Sequence, residues 1–194
     1  THQNGDLNTG EPYAEAAAYI QTITDKFAAL QKQVVAKTSV ELTINGADGK
    51  RAVRNAETNL GDLCADAYRI LLGADIAFVN GGGVRDNIKV GDITYGDIIK
   101  VHPFGNEACL VEVTGQQIKD ALELGSAAYP GESGGFLQVS GLTYTINADI
   151  PSSVVKNDKS EFVKVDGAYR VSDIMVGGQP LDVNKTYTLA SHNY

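Results

Sequence analysis

The sequence predicts an α/β domain of the α+β kind, built on a mixed sheet, and three observations predict it. The N-terminal side carries a helical apolar period. The middle alternates short apolar runs with capped helical segments. In the second half strands outnumber helices, which favours a mixed sheet over a doubly wound parallel one. At 194 residues, with 43% hydrophobic residues, the chain can bury one substantial core, or one core plus an appended helix.

The elements follow in chain order. Residues 1–10 (THQNGDLNTG) are polar and aperiodic and read as a disordered lead-in. Pro12 stands where a first helical turn tolerates proline. Ala16, Ile20, Ile23, Phe27, Leu30 and Val34 then recur at helical spacing, predicting an amphipathic helix to Ala36. Val40–Ile44 alternates like a strand and is ended by Asn45-Gly46-Ala47-Asp48-Gly49. Arg51 and Arg54 lead into a second helix, with Asn59 as N-cap and Leu60, Leu63, Ala67, Ile70 and Leu71 as its apolar face. An arginine just ahead of a helix N-terminus stands in a setting favourable to anions. It also reads as a solvated surface charge.

Ile76–Val79 is a continuous apolar run, the pattern of a buried strand. Thr94/Asp97 and Thr114/Gln117 predict capping boxes, the second opening a helix that buries Ile118, Ala121 and Leu122. Glu107–Val113, Phe136–Val139, Leu142–Ile146, Val163, Tyr169–Met175 and Tyr187–Ala190 predict strands, with loops at 129–135 and 147–160. Val176-Gly177-Gly178-Gln179 reads as a hairpin turn.

Charge and composition exclude several classes. A net charge of −8 argues against a surface that coats nucleic acid polymers or anionic membranes, so an anionic ligand needs a local basic pocket. No run of about 18 apolar residues could span a bilayer. The N-terminus lacks the charged and apolar regions of a signal peptide. Cys64 and Cys109 have no metal-type spacing and read as small buried hydrophobes rather than a disulfide. His2, His102 and His192 are dispersed, so no metal cluster is predicted.

The stretch with chemical content runs from Asp75 to Asn106. After its strand it breaks into Asn80-Gly81-Gly82-Gly83-Val84-Arg85, and it ends on Pro103-Phe104-Gly105-Asn106. Consecutive glycines allow a backbone path closed to side chains and let main-chain N–H groups approach a ligand. Asn80 and Arg85 flank the turn with hydrogen-bond donors, and arginine offers a planar fork suited to phosphate. Phe104 on a tight loop is a platform for a nucleobase. Each part alone has a plainer reading, a turn or a core plug. Neither the dinucleotide fingerprint nor the P-loop is present. Only the combination points to a nucleotide.

Glu57-Thr58-Asn59-Leu60-Gly61-Asp62-Leu63, Asn80 to Arg85 and Pro103 to Asn106 resemble, in order and spacing, the C-terminal domain of the 5'-nucleotidase family. That family includes UDP-sugar hydrolases and 2',3'-cyclic-nucleotide phosphodiesterases. The resemblance runs from about Val40 to Tyr194. It implies a division into the lead-in, a connector helix over 11–37 and the C-terminal domain over 38–194. The family's Gly-Gly-Asp-Gly loop would follow Tyr194, so the domain is expected to be incomplete.

By resemblance, Phe104 and Tyr194 sandwich the base, Arg54 and Arg85 hold the phosphate or sugar end, and Asn80 adds a polar contact. No catalytic or metal-ligating residue is expected in this chain. Two divalent metal ions and a catalytic His belong to an N-terminal metallophosphoesterase domain of the same polypeptide. Family members are extracellular, cell-surface or periplasmic, and the expected ligand is a nucleoside mono- or diphosphate-type molecule. Two rival readings stay open: a freestanding nucleotide-binding or sensor module, and a surface interaction domain that keeps the fold without the pocket.

Overall fold

The computed structural model describes residues 13–194; the lead-in at 1–10 and Pro12 lie outside the described residues. Helix α1 spans Ala14–Gln31 and none of its residues is buried. Ile20 and Phe27 are 62% and 53% exposed, so the apolar stripe does not pack on this domain. The helix stops five residues short of Ala36. Val34 and Val35, β-branched and at ease in extended backbone, begin strand β1 (Val34–Thr38) instead. Strand β1 pairs antiparallel with β3 (Gly91–Thr94).

The predicted strand at Val40–Ile44 is not formed. Leu42 makes one reciprocal bridge to Ile88, at 2.9 and 2.8 Å. The amides of Thr43 and Ile44 donate to the side-chain oxygens of Asn59 and Asn87, each at 2.8 Å, so no partner strand is needed there. Asn59 is therefore not the cap of helix α2 (Asn59–Leu72). Thr58 is, with its hydroxyl accepting from Gly61 N–H.

The buried face of α2 also differs from expectation. Leu60, Gly61, Cys64 and Ala65 face inward, whereas Leu63, Ile70 and Leu71 are 45%, 69% and 76% exposed. Small residues decide the face. A Cβ on Gly61 would stand 2.1 Å from Gln138 Oε1, so only a glycine lets the sheet approach this closely. Apolar spacing alone could not weigh that contact.

The central sheet has the order β4-β11-β2-β5, from Ala108–Thr114 (β4), Thr186–His192 (β11), Ile76–Asn80 (β2) and Leu137–Ser140 (β5). Strands β2 and β11 run parallel and the other pairs antiparallel, so the sheet is mixed as predicted. Strand β2 feeds cores on both its faces, which explains its unbroken apolar run. Ile76 and Phe78 pack with Ile118, Leu122 and Tyr187, while Val79 packs with Leu60, Cys64 and Val101.

Both predicted capping boxes are formed. Thr94 and Asp97 open α3 (Tyr95–Val101), and Thr114 and Gln117 open α4 (Gly115–Ser126). A second sheet joins β6 (Leu142–Ile146), β9 (Val171–Val176) and β10 (Gln179–Pro180). Gly177 and Gly178 turn its hairpin with φ of 56° and 79°, a conformation that favours glycine at both positions. The segment 147–160, read as loop, contains β7 (Val154–Lys156), which pairs with β8 (Phe162–Val165).

Candidate functional site

At the C-terminal end of β2 the chain enters one turn of 3-10 helix, Gly81–Gly83. These glycines are required by close packing, not by unusual dihedrals. A Cβ on Gly81 would lie 1.9 Å from Val53 O, and one on Gly82 would lie 2.9 Å from Gly134 Cα. The amides of Gly81 and Gly82 donate to the carbonyls of Phe136 (2.7 Å) and Gly134 (2.9 Å). The expectation that this turn offers its main-chain N–H groups to a ligand therefore fails at both residues. The glycines serve to press three chain segments together.

Those segments wall a cleft of about 630 Å³. All five residues singled out from the sequence line it: Arg54, Asn80, Arg85, Phe104 and Tyr194. They come from the loop before α2, the end of β2, the segment just after the glycine turn, the loop after α3 and the residues just beyond β11. Phe104 is 61% exposed and Tyr194 89%, so neither ring is a core plug.

The polar lining is one-sided. Arg54 and Arg85 line the cleft and neither forms an ion pair among the described residues. Among the described residues no Asp or Glu lines it. Arg51, three residues before Arg54, is occupied by a two-pronged pair with Glu132. That bond, aided by Arg51's charge and that of Arg54, holds the Glu132 carboxyl below its usual range. Arg85 Nη1 donates to Gly82 O at 3.1 Å, and its guanidinium carbon lies 5.8 Å from the Phe104 ring centre. Asn80 Nδ2 donates to Gly134 O at 3.1 Å, while its Oδ1 is buried with no partner. An unpaired buried acceptor costs roughly 1–3 kcal/mol.

Arg54 reaches the cleft without the help of α2, because no residue of that helix lines it. It is placed instead by Gln138, 1% exposed on β5. Gln138 accepts from Thr58 N–H at 3.0 Å and donates to the carbonyls of Val53 (3.0 Å) and Ala56 (2.7 Å), clamping the segment that carries Arg54. No local pattern in the sequence marks this residue as part of the site. Asn106, Gly134, Gly135 and Leu137 are likewise not among the residues expected in the site, although each lines the cleft. Asn106 was within reach of a motif reading; the other three belong to a loop and strand that only the fold brings here.

A second cavity, of about 480 Å³, lies beside the first and has the opposite sign. Glu57, Asp62 and Asp66 line it. Burial, then the neighbouring Glu57 and Asp66, pushes Asp62 up to about 6. Such a site repels phosphate. Cys64 and Cys109 are both free, and burial pushes the Cys64 thiol up to about 12, leaving it unreactive. Among the described residues no group of three or more His, Cys, Asp or Glu could hold a metal ion, and no helix is long and apolar enough to cross a membrane.

Comparison with known proteins agrees with the motifs. Residues 34–194 match the family model described as 5'-nucleotidase, C-terminal domain. The chain is 35% identical over 195 aligned residues to the trifunctional nucleotide phosphoesterase protein YfkN of Bacillus subtilis, covering 94% of this chain and 13% of that protein. It is 37% identical over 146 residues to a 5'-nucleotidase of Vibrio cholerae, covering 74% of this chain and 23% of that protein. The crystal structure of a 5'-nucleotidase precursor from Thermus thermophilus superposes with a TM-score of 0.68 at 33% identity, over 93% of this chain and 33% of that one. The chain thus spans a third or less of each of these relatives.

Proposed function

The chain belongs to the 5'-nucleotidase family as its C-terminal domain, and from that premise we propose that it is the nucleotide-recognition half of a phosphoric ester hydrolase. The observation that supports this reading best is the lining of the 630 Å³ cleft: two exposed aromatics and two arginines, with no ion pair to either arginine and no Asp or Glu in the lining among the described residues. Phe104 and Tyr194 stack on the base, each stack worth on the order of 1–3 kcal/mol whatever the base. Arg54 and Arg85 bind the phosphate or sugar end through charge-assisted hydrogen bonds, and Asn80 adds a polar contact. After ordering costs, affinity falls at about millimolar to tens of micromolar, suited to a substrate that must leave.

Hydrolysis requires an activated water and neutralised charge at phosphorus, which two metal ions supply. We assign that role to an N-terminal metallophosphoesterase domain of the longer polypeptide, with α1 as connector; its exposed apolar stripe suits a helix that lies between two bodies. The 194-residue chain alone is then without phosphohydrolase activity, and the whole protein acts outside the cytoplasm or at the cell surface, as the family resemblance implies.

Calorimetric titration of AMP and adenosine tests the binding role. Phe104→Ala should weaken both ligands about ten-fold or more. Arg54→Met or Arg85→Met should bring AMP down to the affinity of adenosine. AMP binding that is indifferent to all three substitutions would overturn the assignment.

A further inference from the structure

His192 ends β11 and is 6% exposed, yet the contacts proposed above make no use of it. Its ring lies between two tyrosines. Tyr68 of α2 is 5.9 Å away between ring centres, and Tyr194 is 6.4 Å away and stacked within 29°. Nδ1 of His192 stands 3.4 Å from Asn106 Nδ2 and 3.4 Å from the backbone nitrogen of Tyr194. A backbone N–H can only donate, so Nδ1 accepts and the ring proton sits on Nε2.

The flanking residues fasten this end of the chain to β2 and to the segment that carries Asn106. Ser191 Oγ donates to Phe78 O at 2.9 Å. Asn193 N–H donates to Glu107 O at 3.0 Å, and Glu107 N–H donates to Asn193 Oδ1 at 3.1 Å. Phe104, two residues before Asn106, and Tyr194 are thus linked through one imidazole and one amide pair. Resting on the nucleotide reading above, we infer that His192 is a positioning residue for the aromatic clamp: its neutral imidazole, accepting from both Asn106 and Tyr194, sets the gap between the two rings and makes nucleotide affinity fall in mild acid.

The surroundings oppose a charged ring. Burial lowers the basicity of His192. His102, at the end of α3, is lowered by its own burial and then by the charge of His192. Cys109 of β4 lies on the neighbouring strand, paired with Ser191, and Lys156 of β7 lines a cavity with His192 and Tyr194. No carboxylate among the described residues bonds the ring, and the Glu107 contacts run through its backbone. A proton on Nδ1 would set an N–H against the Tyr194 backbone N–H, which can only donate, so that contact breaks, and the Asn106 amide must flip to offer its Oδ1.

The test uses the 194-residue chain with AMP as probe. In 15N NMR between about pH 5 and 8, the Tyr194 amide and the Asn106 side-chain amide should titrate together with the His192 ring, with a midpoint below the ordinary imidazole value of about 6.5. This needs no substitution, so it survives a variant that fails to fold. By calorimetry, H192F should weaken AMP about five-fold near neutral pH, the loss of roughly one net hydrogen bond, and should flatten the pH dependence. H192N, which keeps an acceptor near Nδ1, should restore most of the affinity while staying insensitive to pH. A Tyr194 amide that ignores the His192 titration overturns the inference. So does AMP affinity that is lost in Phe104→Ala but unchanged in H192F, which leaves the nucleotide reading intact. Failure of the unsubstituted chain to bind AMP overturns that reading and this inference with it.

Discussion

Asp62 shows how much a single residue's environment can oppose its charge. Half-buried on α2, with Glu57 and Asp66 nearby, its carboxyl is raised to about 6 by burial first and by the two neighbours second. A folded-state value above the unfolded one means that the contribution of Asp62 is best at low pH and is lost as pH rises through about 6. Asp62→Asn should therefore stabilise the domain by on the order of 1 kcal/mol at pH 7–8, after discounting for its partial exposure. At about pH 3 it should change little, since both states are then protonated. Thermal unfolding across pH checks this, and equal effects at both ends would refute it. Gln138 works in the opposite sense, because every polar atom of its amide is used. Gln138→Leu would leave two carbonyls and one N–H unpaired in a buried place, at a cost of about 3 kcal/mol. It should also weaken AMP by freeing Arg54. Unchanged stability in urea would contradict that role.

At the scale of elements, α1 and α4 carry similar apolar patterns and opposite energetics. Ile118 and Leu122 of α4 are 1% and 0% exposed. Leu122→Ala should cost about 2–5 kcal/mol. Ile20 and Phe27 of α1 remain mostly in solvent, so Ile20→Ser and Phe27→Ser should stay within about 0.5 kcal/mol. Chemical denaturation of the three variants separates the two helices; a large loss from the α1 changes would show that its stripe is packed. Both helices were legible in the sequence, as were both capping boxes, because periodicity and caps are local signals. The strand at Val40–Ile44 was not. Its alternation was real, but Asn59 and Asn87, far along the chain, satisfy its amides.

For the whole molecule, the contrast between a net charge of −8 and a cleft whose charged groups are Arg54 and Arg85 sets the expected salt response. AMP affinity should fall as ionic strength rises from about 10 to 150 mM, while adenosine affinity should hardly move. Parallel titrations of the two ligands read this directly. Equal salt sensitivity would assign the arginines to something other than phosphate. The chain spans a third or less of each relative compared above. The described residues gather a binding cleft, and the metal chemistry is assigned to the longer polypeptide.

The sequence by itself determined the mixed α+β class, most helices and strands, the family and five of the residues that line the cleft. Helical periods, caps and glycine-bounded motifs are written within a few neighbouring residues, so they are readable one segment at a time. Tertiary structure alone decided which face of α2 is buried, that the amides of the glycine turn are spent on Phe136 and Gly134, that Gln138 clamps the segment carrying Arg54, and that His192 meets Asn106 and Tyr194. The physical reason is common to all of these. Each depends on a hydrogen bond or a close approach between residues brought together by folding, and no local pattern encodes how near two distant segments will come.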